Sequence, residues 1–191
     1  MSEQQPWYNQ YANYLTNINL INDTGDISEF EGNVHELFST LMENLSTFSI
    51  NPFENKANIN IWHNNSVFWM HMEPLDIGQQ FLTDFETNVP YMEHLKCLTV
   101  KSFSINLQPP APPQLTTFAT NSITNINPNF LENIKHLVID DLELSDIQLL
   151  PFDLLKIEAC SDYPEQAMIE IKERCPEIQF NLVLLKPGNL L

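Results

Sequence analysis

The sequence predicts an α/β fold: a solenoid in which short repeated strands form a parallel sheet, preceded by a helical cap. Three observations lead to this prediction. A strand-like apolar pattern recurs at intervals of about 20 residues, helical spacing precedes and follows the series, and the bends lie in Pro- and Asn-containing loops. A short strand with a return arm cannot bury its apolar face alone, so copies stack and share a core. The predicted divisions are a polar arm (1–27), the helical cap (28–58) and the repeats (59–191).

The helical cap is predicted from apolar residues that recur three and four positions apart between Phe30 and Phe48. This spacing places them on one side of a helix. Ser28 is expected to be the N-cap, with Glu31 completing a capping box, and Asn51-Pro52 should end the element. The residues before Ser28 are polar with scattered aromatics, which predicts a loosely held arm or cap.

A hairpin and two further helices are predicted from local patterns. Two β-rich runs, 59–63 and 66–72, flank Asn64-Asn65, a pair that tolerates positive φ. Helical spacing predicts helices at 77–85 and 165–174, the second ending before Pro176 and leading into a closing strand.

The repeat itself reads "apolar, two residues, apolar, one residue, apolar". Its copies are Val67/Met70/Met72, Leu95/Leu98/Val100, Leu115/Phe118/Thr120, Ile134/Leu137/Ile139, Leu154/Ile157/Ala159 and Glu177/Phe180/Leu182. The middle positions are separated by 28, 20, 19, 20 and 23 residues. Because successive side chains of a strand alternate between faces, the repeat positions are expected to point inward and the residues between them outward.

This pattern resembles leucine-rich-repeat proteins, and the segment 133–144 (Asn-Ile-Lys-His-Leu-Val-Ile-Asp-Asp-Leu-Glu-Leu) carries the resemblance best. The segment 171–180 resembles the helix-to-strand joint in the irregular repeats attached to F-box proteins. The helix from Ser28 lacks the Leu-Pro entry of an F-box. The resemblance implies a stacked sheet whose exposed face holds a protein partner, as in other solenoids.

Composition excludes several classes of function. The chain has 25 acidic and 8 basic residues, a formal net charge of −17, which argues against binding nucleic acid or anionic membranes. Only four glycines are present, and none forms a phosphate-binding loop. No stretch is long and apolar enough to span a membrane, and residues 1–10 do not resemble a secretory signal. Three widely spaced cysteines predict reduced thiols inside a cell, in the cytoplasm or nucleus.

The predicted partner-binding residues are those that alternate with the repeat positions. They are Trp69, His71, Lys101, His136, Asp140, Lys156 and Glu158. Trp69 is the sharpest candidate because Trp is enriched at interface hot spots, but a register slip of one residue would bury it. Lys101, His136 and Lys156 form a cationic row that would suit an acidic peptide.

Three groups of residues have side chains that are capable of catalysis or metal binding. His63, His71 and Glu73 could form a two-histidine, one-carboxylate metal site across the hairpin. Cys97 or Cys160 could act as a nucleophile with His136 as base. The acidic pairs Asp140-Asp141 and Asp84/Glu86 could supply acid–base chemistry. None of these has a recognisable motif, so no metal, cofactor or catalytic residue is predicted.

The sequence therefore predicts a non-catalytic protein-interaction module or adaptor subunit. The alternative is a small intracellular α/β enzyme with a pocket of histidines and carboxylates. These two hypotheses differ in geometry, because stacking would hold His71 and His136 several strands apart. The apolar tail 184–191 could cover one end of the stack or meet a second copy, and the oligomeric state is left open.

Overall fold

A computed structural model describes residues 5–159 and 165–182, and these residues include ten strands and three α-helices. The described strands are β1 (Leu15–Ile21), β2 (Ile27–Glu29), β3 (Thr47–Phe53), β4 (Lys56–His63), β5 (Ser66–Met72), β6 (Cys97–Val100), β7 (Thr117–Thr120), β8 (His136–Ile139), β9 (Lys156–Ala159) and β10 (Gln179–Leu182). The described α-helices are α1 (Val34–Glu43), α2 (Leu75–Asn88) and α3 (Glu165–Arg174). Short 3₁₀ helices occupy Trp7–Tyr14, Val89–Tyr91, Pro128–Phe130 and Leu144–Leu149. The predicted α/β class is confirmed.

The ten described strands form one mixed sheet in the order β10-β9-β8-β7-β6-β3-β4-β5-β1-β2. From β10 to β3 every neighbouring pair is parallel, and from β3 to β2 every pair is antiparallel. The antiparallel strands β3, β4 and β5 are longer than the parallel strands that follow. The expectation of a parallel sheet throughout 59–191 is therefore wrong for β4 and β5.

The hairpin explains this correction. Asn64 and Asn65 have φ values of 50° and 62°, as a two-residue hairpin turn requires. Such a turn can join only antiparallel strands, because parallel neighbours need a long crossover. The predicted hairpin is confirmed, and the strand containing Met70 consequently pairs with β4 and β1 rather than with β6.

The later repeat strands follow the prediction closely. Leu98, Phe118, Leu137, Ile157 and Phe180 occupy one continuous register across β6 to β10. Their order in space is their order in the chain. The parallel arrangement of the strands centred near 98, 118, 137 and 157 is thus confirmed.

The predicted helix from Ser28 to Phe48 is wrong at both ends. Helix α1 begins after Asn33, whose side-chain oxygen accepts the backbone N–H of Glu36 at 3.2 Å. Ser28 lies in β2, and Phe48 lies in β3. An apolar residue at position 48 continues the helical spacing, but it also starts the alternating burial of a strand, in which both Phe48 and Ile50 are fully buried.

The polar arm is also corrected within residues 5–27. Tyr11 is 2% exposed, and Tyr8 and Ala12 are buried beside it in the 3₁₀ helix Trp7–Tyr14. Strand β1 then joins the sheet next to β5. These residues belong to the core rather than to a loose arm.

In contrast, the predicted helices at 77–85 and 165–174 are confirmed as α2 and α3.

The core lies between one face of the sheet, here called the inner face, and the helices. The Phe48 ring of the inner face stacks on Phe85 of α2 with 4.9 Å between centroids. Phe81 of α2 contacts both Phe48 and Phe38 of α1. Ile171 of α3 is fully buried in the same contiguous core. All three helices therefore contribute to the core on the inner face.

Candidate interaction face

The opposite side of the sheet, here called the outer face, carries the side chains that alternate with the core residues. In β3 to β9 they are Thr47, Ser49, Asn51, Phe53, Lys56, Asn58, Asn60, Trp62, Val67, Trp69, His71, Cys97, Thr99, Thr117, Ala119, His136, Val138, Lys156 and Glu158. All of these except Ala119 remain partly or largely exposed. Their inward neighbours, in contrast, are nearly all buried. The described elements therefore cover the inner face and leave the outer face open to solvent.

The aromatic part of the outer face lies on the antiparallel strands. Trp69 is 36% exposed, whereas Met70 and Met72 are fully buried, so the exposed register of Trp69 is the one that the structure shows. Its indole N–H donates to the side-chain oxygen of Asn58 on β4. His71 lies edge-on to Trp69 and stacks on Phe53 at 6.2 Å between centroids. These contacts fix the rings in place.

Two exposed aromatic residues of this region were absent from the predicted site. Trp62 is 42% exposed and Phe53 is 51% exposed. Trp62 is opposite Val67 in the ladder and hence diagonal to Trp69. The strict alternation of Ala57, Ile59 and Ile61 toward the core could have identified Trp62 as an outward residue.

The cationic row of the prediction is neutralised by carboxylates. Lys101 Nζ lies 2.5 Å from Asp140 Oδ1, and Asn121 donates to the other Asp140 oxygen at 2.9 Å. His136 Nε2 lies 3.0 Å from Glu158 Oε1, and Lys156 pairs with the same oxygen. The outer face therefore offers no bare cationic row to an acidic peptide, and this expectation is corrected.

The ion pairs lower the pKa of the Glu158 carboxyl group. The hydrogen bond from Lys156 is the largest influence that lowers the pKa of Glu158, and His136 and the charge of Lys156 act in the same direction. Partial burial of Glu158 acts in the opposite direction.

For His71, on the other part of the outer face, burial is the dominant influence and lowers the pKa of the imidazole. The imidazole of His71 is therefore uncharged near neutral pH and presents an aromatic ring on the outer face.

The predicted site residues form two separate groups. Trp69 and His71 lie on β5, while His136 lies on β8 with Lys156 and Glu158 beside it on β9. Five strand steps separate β5 from β8, which corresponds to about 24 Å at the usual strand spacing. Lys101 lies just past the end of β6, and its partner Asp140 lies just past the end of β8.

The arrangements considered for catalysis are not assembled. His63 pairs with Ser66 and His71 pairs with Asn58, so the two histidines lie toward opposite ends of the hairpin. Residues 5–159 and 165–182 contain no cluster of three potential metal ligands. The hairpin therefore does not bring His63 and His71 together as the two-histidine alternative requires.

Cys97 and the acidic pairs have structural surroundings of their own. Cys97 lies two strands from His136, about 10 Å at the usual spacing, and burial raises the pKa of its thiol. Asp84 accepts the hydroxyl of Tyr11, and Glu86 accepts the backbone N–H of Asn106 at 2.8 Å. Cys160 lies outside the described residues.

None of the helices in the described part of the chain has the length and apolarity needed to cross a bilayer.

The comparisons with known proteins yield no relative. The sequence matches no protein-family model, and neither a curated protein nor a solved structure is significantly similar to this chain.

Proposed function

We propose that this chain is a non-catalytic protein-interaction module of leucine-rich-repeat-like architecture, which binds a protein partner through the outer face. The observation that carries the proposal is the asymmetry of the sheet. The helices pack on the inner face, while the outer-face side chains of the described strands stay accessible. A broad sheet surface that its own chain leaves uncovered is the surface with which solenoids hold partners.

The chemistry of the outer face supports a protein partner. Trp62 and Trp69 supply large, rigid apolar surfaces, the side-chain type enriched in binding hot spots. Ser, Thr and Asn side chains between them and the ion pairs provide hydrogen-bonding groups. Lys101 and Lys156 are each paired with a carboxylate, so this part of the face is close to neutral in a chain of net charge −17. Such a surface fits the neutral, aromatic-rich centre of an interface better than it fits a polyanion.

The cellular setting proposed for the module is intracellular, in the cytoplasm or nucleus, where it would act as an adaptor subunit of a larger assembly. Cys97 and Cys175 are both free thiols, as expected for proteins in reducing compartments.

A pair of matched substitutions tests the proposal. Thr99→Arg places a bulky cation at the middle of the outer face, and Thr87→Arg places the same side chain on the exposed side of α2. The wild-type chain and the two variants are used as baits at equal concentration, and co-purifying proteins are quantified by mass spectrometry. A stoichiometric partner should be retained by wild type and Thr87→Arg and reduced at least about tenfold by Thr99→Arg, a loss that corresponds to about 1.4 kcal/mol.

Thermal unfolding of the three baits establishes that each is folded at the temperature of the assay. Equal retention of the partner by Thr99→Arg and Thr87→Arg would place the interface elsewhere on the molecule. The absence of any stoichiometric partner for the folded wild-type bait would argue against the interaction module itself.

A further inference from the structure

A cleft of about 370 Å³ opens on the helical side of the molecule, away from the outer face. It lies where the C-terminal ends of α1 and α2 approach the first 3₁₀ helix. Its lining includes Trp7, Tyr8, Glu43, Tyr91, Glu93 and His94. The volume is within the range of sites that hold a small molecule or one long side chain.

Aromatic rings line this cleft and are held in place by the core. Trp7 meets Tyr8 edge-to-face at 5.6 Å and packs on Phe81 at 5.5 Å. Tyr8 is only 8% exposed. Tyr91, by contrast, is 80% exposed, an unusual position for a large aromatic side chain. The faces of such rings attract cations through their quadrupole.

The charged groups of the cleft are predominantly acidic. Glu43 and Glu93 are exposed and come from different elements, the end of α1 and the loop after Tyr91. Among the described residues that line the cleft there is no lysine or arginine. Two carboxylates beside aromatic rings form a surface suited to a guanidinium or ammonium group, since both attractions act on the same cation.

The two helices reinforce this preference. Both α1 and α2 end at the cleft, and neither has a basic residue in its last turn. The C-terminal end of a helix carries a partial negative charge that favours a nearby cation. The carbonyl groups of these last turns receive neutral amide N–H groups, from Asn44 to Thr40 and from Asn88 to Asp84. The favourable position for a cation is thus not taken by a basic side chain of either last turn.

We propose that this cleft binds a basic peptide segment of a partner protein and receives one of its arginine side chains. Arginine fits better than lysine because its planar guanidinium can stack on a ring and bond a carboxylate at the same time. The exposed rim formed by Tyr91 and Glu93 leaves room for the rest of the peptide to continue over the surface. The inference is independent of the outer face, which lies on the other side of the sheet.

The test uses the full chain, labelled with ¹⁵N, and an uncharged-end peptide, acetyl-Gly-Gly-Arg-Gly-Gly-amide. We expect saturable chemical-shift changes at Tyr91, Met92 and His94, and none when Arg is replaced by Gln. Removing both carboxylates with Glu43→Gln/Glu93→Gln should weaken binding about three- to tenfold. Tyr91→Ala should weaken it about two- to fivefold through loss of the cation–π contact.

The matched control is Glu29→Gln/Glu132→Gln, which removes the same charge from two exposed positions outside the cleft. It should leave the affinity for the peptide within about twofold of wild type, because exposed charges far from the site are screened by salt. Equal weakening in the two double variants would reduce the interaction to the overall charge of the chain and overturn the proposal. Shift changes confined to other surfaces, or an unchanged titration with the Gln peptide, would overturn it as well.

Discussion

Gly78 lets helix α2 lie directly against strand β4. A Cβ atom at Gly78 would come within 2.4 Å of the Cβ of Ala57, which is far closer than carbon atoms pack. Gly78→Ala gains about 1 kcal/mol of helix propensity but crowds a fully buried contact, for which overpacking typically costs 1–3 kcal/mol. We expect a net loss of up to about 2 kcal/mol in the free energy of unfolding, measured by urea denaturation.

The exchange of the two side chains gives this prediction its control. Ala57→Gly combined with Gly78→Ala moves the methyl group from the strand to the helix and removes the clash. The double variant should be more stable than Gly78→Ala alone, and a double-mutant cycle measures this coupling. Additive effects of the two substitutions would show that the close approach is not what makes Gly78 necessary.

Glu158 should make stability depend on pH in the acid range. Its pKa is lowered in the folded state, chiefly by the hydrogen bond from Lys156. Its contribution is therefore present above the unfolded-state pKa and is lost as pH falls through the lower folded-state pKa. The difference in unfolding free energy between wild type and Glu158→Gln should shrink from about pH 6 to about pH 3. Glu132→Gln, at an exposed position, should show a smaller change over the same series.

At the scale of elements, the start of α1 illustrates how a capping signal is chosen. Ser28 with Glu31 and Asn33 with Glu36 both have the spacing of a capping pair, and the structure places the cap at Asn33. Asn33→Ala should lower the free energy of unfolding by about 1 kcal/mol. Ser28→Ala, in the exposed strand β2, should change it by less than about 0.5 kcal/mol. Urea denaturation compares them, and a larger effect at Ser28 would contradict the helix start described here.

Elements differ in how far local patterns specified them. The spacing within α2 and α3 agrees with the structure because each helix has its own apolar side and a proline at its border. Local spacing does not separate β3 from the preceding helix, because Leu41, Leu45 and Phe48 continue the helical spacing across the boundary between them. What places Phe48 in a strand is the pairing of β3 with β4 and β6, a contact between distant segments that local periodicity does not contain.

At the scale of the whole molecule, the parallel and antiparallel parts share one core. All three tryptophans lie at positions 7, 62 and 69, outside the parallel strands β6 to β10. Leu137→Ala, at a fully buried position of β8, should cost about 2–5 kcal/mol. If the core unfolds cooperatively, tryptophan fluorescence will report this loss although no tryptophan lies near β8.

The neighbouring residue provides the control for that experiment. Val138 points to the outer face and is partly exposed, so Val138→Ala should cost clearly less than Leu137→Ala. Coincident fluorescence and circular-dichroism transitions would show one cooperative unit. A Leu137→Ala variant whose fluorescence midpoint equals that of wild type would mean that the two parts unfold independently.

The sequence by itself determined the register of the short strands from β6 to β10 and the turn at Asn64-Asn65. Each follows from alternation or from φ preferences, which act between residues close in the chain. Only the tertiary structure decided that β3 lies beside β6, that residues 7–21 join the core, and that Lys101 and Lys156 meet carboxylates. It alone also brought Glu43, Tyr91 and Trp7 to one cleft. These arrangements depend on pairing and packing between residues far apart in the chain, whose free energy is shared by the whole core and leaves no periodic trace in the sequence.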